Sequence, residues 1–119
     1  MSSAALAVLA RCPRLTNNPY VFPSPTKAGA PLSNMAIIVL LKKRFQTAAT
    51  AHGIARSTFA DWAADHTDFS FEIREGCLGH VVGNAVSRAY RRGDALEKRR
   101  ALLEAWASAL TVAPLRATA

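Results

Sequence analysis

Residues 94–110 read DALEKRRALLEAWASAL, and this stretch decides the fold class. Leu96, Leu103, Trp106 and Leu110 recur along one stripe of a helix with 3.6 residues per turn. Asp94 and Glu97 stand three residues apart, the spacing of a capping box. Towards the N-terminus, Arg92-Gly93 is a break, and Asn84 caps a short helix predicted to end near Tyr90. Phe71, Ile73 and Leu78 anchor another short helix after Ser70. Phe59, Trp62 and Ala63 share one face of a helix predicted over 54–65. Residues 33–49 form a further helix with Ile37, Leu40, Leu41 and Phe45 in helical spacing. Its basic end, Lys42, Lys43 and Arg44, suits a helix C-terminus as well as it suits contact with DNA. Residues 3–10, rich in Ala, Leu and Val, read as a short helix. Pro13, Pro19, Pro23, Pro25 and Pro31 exclude regular helix from the stretch between. Only 20–22 shows any strand character. The expected class is mainly α, one unit over 1–119 with 111–119 frayed.

Composition narrows the function. Half of the 119 residues are hydrophobic and 19% are charged, which excludes a disordered tail. Fifteen Lys and Arg against eight Asp and Glu give a net charge of +7 and a pI near 10.3. That balance favours a polyanionic partner. The acids Asp61, Asp65, Asp68, Glu72 and Glu75 concentrate in one region, which is expected to face away from nucleic acid.

Two cysteines, Cys12 and Cys77, do not make a disulfide scaffold. The aliphatic run over 35–41 is far short of the ~20 residues that cross a bilayer. The opening MSSAALAVLARC lacks a basic region before its apolar stretch, and Arg11 precedes Cys12 where a lipoprotein signal needs a small residue. The expected compartment is therefore the reducing cytoplasm, with both thiols free and no membrane association. Cys77-x-x-His80 supplies one pair with metal-ligand spacing, but no second pair matches it, so no metal is expected.

His52, Arg56, His80 and Tyr90 are the candidate chemical residues. Each alone has a plain reading. A single Tyr on an amphipathic helix is a core residue with its hydroxyl at the surface, and a single His is a surface or satisfied core residue. Their surroundings form a stronger pattern: His52-Gly53-Ile54-Ala55-Arg56, Leu78-Gly79-His80 and Tyr90-Arg91-Arg92-Gly93-Asp94.

On these motifs the chain resembles the tyrosine recombinases, specifically the integrases of bacterial prophages and genomic islands. The likeness extends through Tyr20-Val21-Phe22-Pro23, Pro31-Leu32-Ser33, Arg56-Ser57-Thr58-Phe59 and the stretch 96–106, covering about residues 3–110 in order. It implies the helical C-terminal portion of a recombinase catalytic domain, acting on double-stranded DNA without a cofactor. Tyr90 would be the nucleophile that forms a 3′-phosphotyrosyl bond. Arg56 would clamp the phosphate, and His80 and His52 would hydrogen-bond to it or assist proton transfer. Arg88, Arg91 and Arg92 would contact DNA beside the cleavage site. The location implied is the bacterial cytoplasm, at the nucleoid. The segment after the tyrosine implies docking with other integrase protomers or self-association.

Two departures qualify the resemblance. The family has two residues between this His and this Arg, whereas Gly53, Ile54 and Ala55 make three. An extra residue rotates the downstream helix by ~100°, so Arg56 is expected to keep its register with Phe59 while His52 is displaced. The family also carries a further Arg and a Lys on an upstream hairpin. Neither Arg11, Arg14 nor Lys27 matches them. The chain is therefore expected to bind DNA weakly and to be inactive alone. Two non-catalytic readings stand beside strand transfer. One is a DNA-binding remnant. The other is a helical interaction fragment without a DNA role, using Trp106 and the leucines as a partner surface.

Overall fold

Phe59 and Ala63 lie one turn apart on a single helix face, and the interior forms around them. In a computed structural model, residues 1–83 and 95–112 are described. Five α-helices occur there, with no extended strand: α1 (Ser3–Arg11), α2 (Ala36–Arg44), α3 (Thr58–His66), α4 (Phe71–Cys77) and α5 (Leu96–Val112). The mainly helical class is as the sequence predicts. The predicted helix at 84–90, Tyr90, Arg88, Arg91, Arg92, the Asp94 cap and residues 113–119 lie outside the described residues.

The buried core is Phe59 and Ala63 of α3, Ile73 of α4 and Leu102 of α5. Trp62, Phe69, Cys77, Leu78, Leu103 and Trp106 pack around it half-buried. Phe59 meets Trp106 edge-on at 5.8 Å, and Trp62 lies 4.9 Å from Trp106 at a 47° tilt. Such contacts add about 0.5–1.5 kcal/mol beyond burial. Trp106 and Leu103 thus pack against the core. Leu110, at the end of the same stripe, stays 58% exposed.

α1 docks on α5 through two hydrogen bonds at its first residue. The Ser3 N–H and hydroxyl donate to the two carboxylate oxygens of Glu104, at 2.6 and 2.8 Å. Ser2 caps the helix, its Oγ accepting from the Ala5 N–H.

The proline-rich segment closes on itself instead of forming a strand. Pro23 and Pro31 make an isolated antiparallel bridge, flanked by bonds from Leu32 N–H to the Phe22 carbonyl and from Ser24 N–H to the Ala30 carbonyl. α2 is shorter than the predicted 33–49. At its start the Ser33 hydroxyl accepts from the Met35 N–H, holding a turn. At its end Gln46 takes a left-handed φ of 49°. No other named helix packs against α2, and Ile37, Leu40 and Phe45 are exposed.

The helix predicted from residue 54 starts earlier. Thr50 caps it, its Oγ accepting from the Gly53 N–H at 2.9 Å. Helical backbone then runs from 51 to 66 and includes a π-helical turn, Gly53–Ser57, before α3. At the far end α5 continues through Thr111 and Val112, beyond the predicted fraying point.

Candidate functional site

The π-turn accommodates the extra residue between His52 and Arg56. In it, Thr58 N–H donates to the Gly53 carbonyl, five residues back instead of four. Thr58 Oγ1 donates to the same carbonyl at 3.1 Å. A single π-turn inserts one residue without disturbing the α-helix on either side, and such turns concentrate at functional sites. Downstream, Phe59 stays buried and holds the register of α3.

His52 and Arg56, four positions apart, share a wall. Together with Ser57, Ala60, Glu75, Leu78 and His80 they line one concavity of about 260 Å³. His52, which the spacing predicts to be displaced, lines this concavity with Arg56. Ala60, one turn beyond Arg56, contributes only a methyl group there.

His80 reaches this concavity through the C-terminus of α4. Gly79 takes a φ of 76°, the left-handed conformation that glycine adopts without penalty. The His80 N–H then donates to the Glu75 carbonyl at 3.0 Å, and the Gly79 N–H to the Gly76 carbonyl at 3.2 Å. These two bonds are a Schellman motif, which brings the residue after the glycine beside the residue five before it. An apolar contact commonly fills that position. Here Glu75 Oε2 lies 2.6 Å from Nδ1 of His80, with the side chains 22% and 43% exposed. The pair leaves Nε2 as the ring nitrogen for a ligand.

Of the acids of 61–75, expected to face away from nucleic acid, Glu75 lines the concavity and holds one of its histidines. The signal for this is in Glu75-Gly76-Cys77-Leu78-Gly79-His80: a glycine just past a helix end pairs the flanking side chains.

Cys77 turns the other way. Its thiol donates to the Arg99 carbonyl at 3.7 Å, and burial pushes its pKa above the ordinary value. It lines the groove between α1 and α5, while His80 lines the Arg56 concavity. Among the described residues no group of three or more His, Cys, Asp or Glu is placed to hold a metal ion.

Larger hollows lie elsewhere. One of about 630 Å³ is bounded by Tyr20, Phe22, Leu32 and Ile37, and one of about 500 Å³ by Val8, Leu103, Trp106 and Leu110. Both are apolar. The Arg56 concavity is the chemical candidate because an arginine and two histidines line it. Of the basic residues at 98–100, Arg99 is half-buried beside Gly76, and Arg100 lies 3.9 Å from Glu97.

No helix among the described residues is long and apolar enough to cross a membrane. No protein-family model matches the chain. No solved structure matches it either. The chain spans about a quarter of the length of the curated relative it matches. That relative is the prophage integrase IntA of Escherichia coli, to which this chain is similar at 31% identity over 115 residues, 95% of this chain and 27% of the integrase.

Proposed function

We propose that this chain is the phosphate-binding, tyrosine-bearing part of a tyrosine recombinase that integrates or excises DNA. One observation carries the reading: His52, Arg56 and His80 line one concavity in a chain similar to a prophage integrase along nearly its whole length. In this reading the concavity receives a scissile phosphodiester. Arg56 pairs with the non-bridging oxygens as charge builds on them, and His80 and His52 donate to the same group.

Tyr90 attacks phosphorus. Its oxygen bonds to the phosphate as the bond to the 5′ oxygen breaks, the tyrosine proton leaves, and the 5′ oxygen takes up a proton. A 3′-phosphotyrosyl link and a free 5′-hydroxyl result. The link retains the energy of the broken phosphodiester, so a second 5′-hydroxyl can religate without ATP. Arg88, Arg91 and Arg92 hold the flanking backbone.

In this reading these 119 residues by themselves supply one guanidinium and two imidazoles to the phosphate, enough to bind DNA and too few preorganised donors to cleave it. Loss of one preorganised donor costs about 10²–10³ in rate. The test is a nicked duplex bearing the element's crossover site. The chain alone should give no covalent adduct. The chain supplied with an upstream integrase segment in trans should give one that Tyr90→Phe abolishes. An adduct that survives Tyr90→Phe refutes the assignment.

A second reading, an interaction fragment that self-associates or joins other protomers, is favoured by the apolar groove between α1 and α5. Sedimentation of the chain with and without DNA separates the two.

A further inference from the structure

We propose that Glu75 is a positioning residue for His80, holding the imidazole so that Nε2 meets the phosphate oxygen bound by Arg56. The inference rests on the reading of the concavity as a phosphodiester site. Three observations carry it. The Glu75 carboxylate lies 2.6 Å from Nδ1 of His80. The same residue's carbonyl accepts the His80 N–H, so backbone and side chain of Glu75 fix one residue twice. Both side chains line the concavity that also holds Arg56 and His52.

A carboxylate beside a DNA-binding arginine opposes binding by charge alone. Its presence there calls for a compensating role, and the ring contact supplies one. Accepting from Nδ1–H selects the tautomer in which Nε2 faces outward as the second functional nitrogen. When the ring is protonated, Nε2–H donates to the phosphate. When it is neutral, Nε2 accepts a proton. The carboxylate thus orients the ring without touching the substrate, the arrangement that the third member of a catalytic triad uses.

The sign of the effect on DNA binding provides the test. Removing a negative charge tightens DNA binding through electrostatics, whereas releasing His80 weakens it. The 119-residue chain is titrated with a short fluorescent duplex, and the His80 side-chain nitrogens are followed by NMR. Expected results are a roughly fivefold to tenfold weaker affinity for Glu75→Ala, a similar loss for His80→Ala, and no further loss in the double variant. The Nδ1–H signature of His80 should vanish in Glu75→Ala. In Glu75→Gln, whose amide oxygen still accepts from Nδ1–H, the signature should persist and the affinity should equal or exceed the parent's, because the charge is gone while the ring stays held.

Unchanged or tighter binding by Glu75→Ala, with His80→Ala weakened, overturns the positioning role. If Arg56→Ala and His80→Ala both bind as the parent does, the phosphodiester reading fails and the proposal fails with it. The NMR signature then still reports whether Glu75 holds the ring, so the two failures are distinguishable. Amide spectra of each variant confirm that it is folded.

Discussion

The Thr58 N–H reaches back five residues to the Gly53 carbonyl, in the turn that carries Arg56 into the concavity it shares with His52, four positions before it on the same helical run. The π-turn lies between the Thr50 cap upstream and the buried Phe59 downstream.

Deleting Ala55 should therefore be tolerated. The turn relaxes to α-helix, Thr50 still caps, and Phe59 and Ala63 keep their places. The melting temperature should stay within about 4 °C of the parent, the shift of a change below ~1 kcal/mol. Deleting Ala60 lacks that outlet. It rotates Trp62 and Ala63 by ~100° relative to Phe59 and should abolish cooperative unfolding. Thermal melts followed by circular dichroism compare the two.

Gly79→Ala isolates the backbone contribution to the His80 site. A Cβ at Gly79 meets nothing within 4 Å, so the penalty comes from the left-handed conformation alone. It should be about 1–2 kcal/mol. Gly79→Asn should lose less, because Asn tolerates that conformation. Urea titrations of the three chains give the order parent, Asn, Ala. An Ala variant as stable as the parent would sink the Schellman assignment.

Acid should release α1 before the core melts. The Ser3 N–H, and then the Ser3 hydroxyl, hold the Glu104 carboxyl below its ordinary value of 4.5. A carboxylate lowered in the folded state stabilises above its unfolded value and loses that contribution as pH falls through the lowered one. Amide exchange in α1 should therefore accelerate below pH 4.5 while α3 and α5 remain protected. In Glu104→Ala the α1 amides should exchange fast at every pH, with no acid step.

DNA affinity should fall steeply with salt, with a log–log slope of about −0.9 for each phosphate neutralised. Arg56→Ala should make the slope shallower by about one contact. A substitution outside the concavity, such as Lys27→Ala in the proline-rich loop, should leave it unchanged. Binding isotherms at several salt concentrations read both effects. Equal slopes for Arg56→Ala and parent would remove Arg56 from the DNA interface.

The sequence by itself determined the local features. Helical periodicity set the class, the prolines kept 13–31 out of helix, and the stripe of Leu103, Trp106 and Leu110 marked one face of α5. These patterns arise from the backbone geometry of single segments. Tertiary structure decided which parts of those faces are covered. Trp106 packs on Phe59 and Trp62, whereas Leu110 on the same stripe stays exposed and, among the described residues, no helix packs against α2. It also decided the site. His52 and Arg56 line one concavity on a helical run that Thr50 caps at one end and the buried Phe59 anchors at the other. Glu75 entered the site because the reversal at Gly79 folded His80 back onto it. Periodicity gives a side chain's direction about its own helix axis. The partner it meets depends on chain reversals and on burial contributed by other helices, and these are settled only when the helices pack.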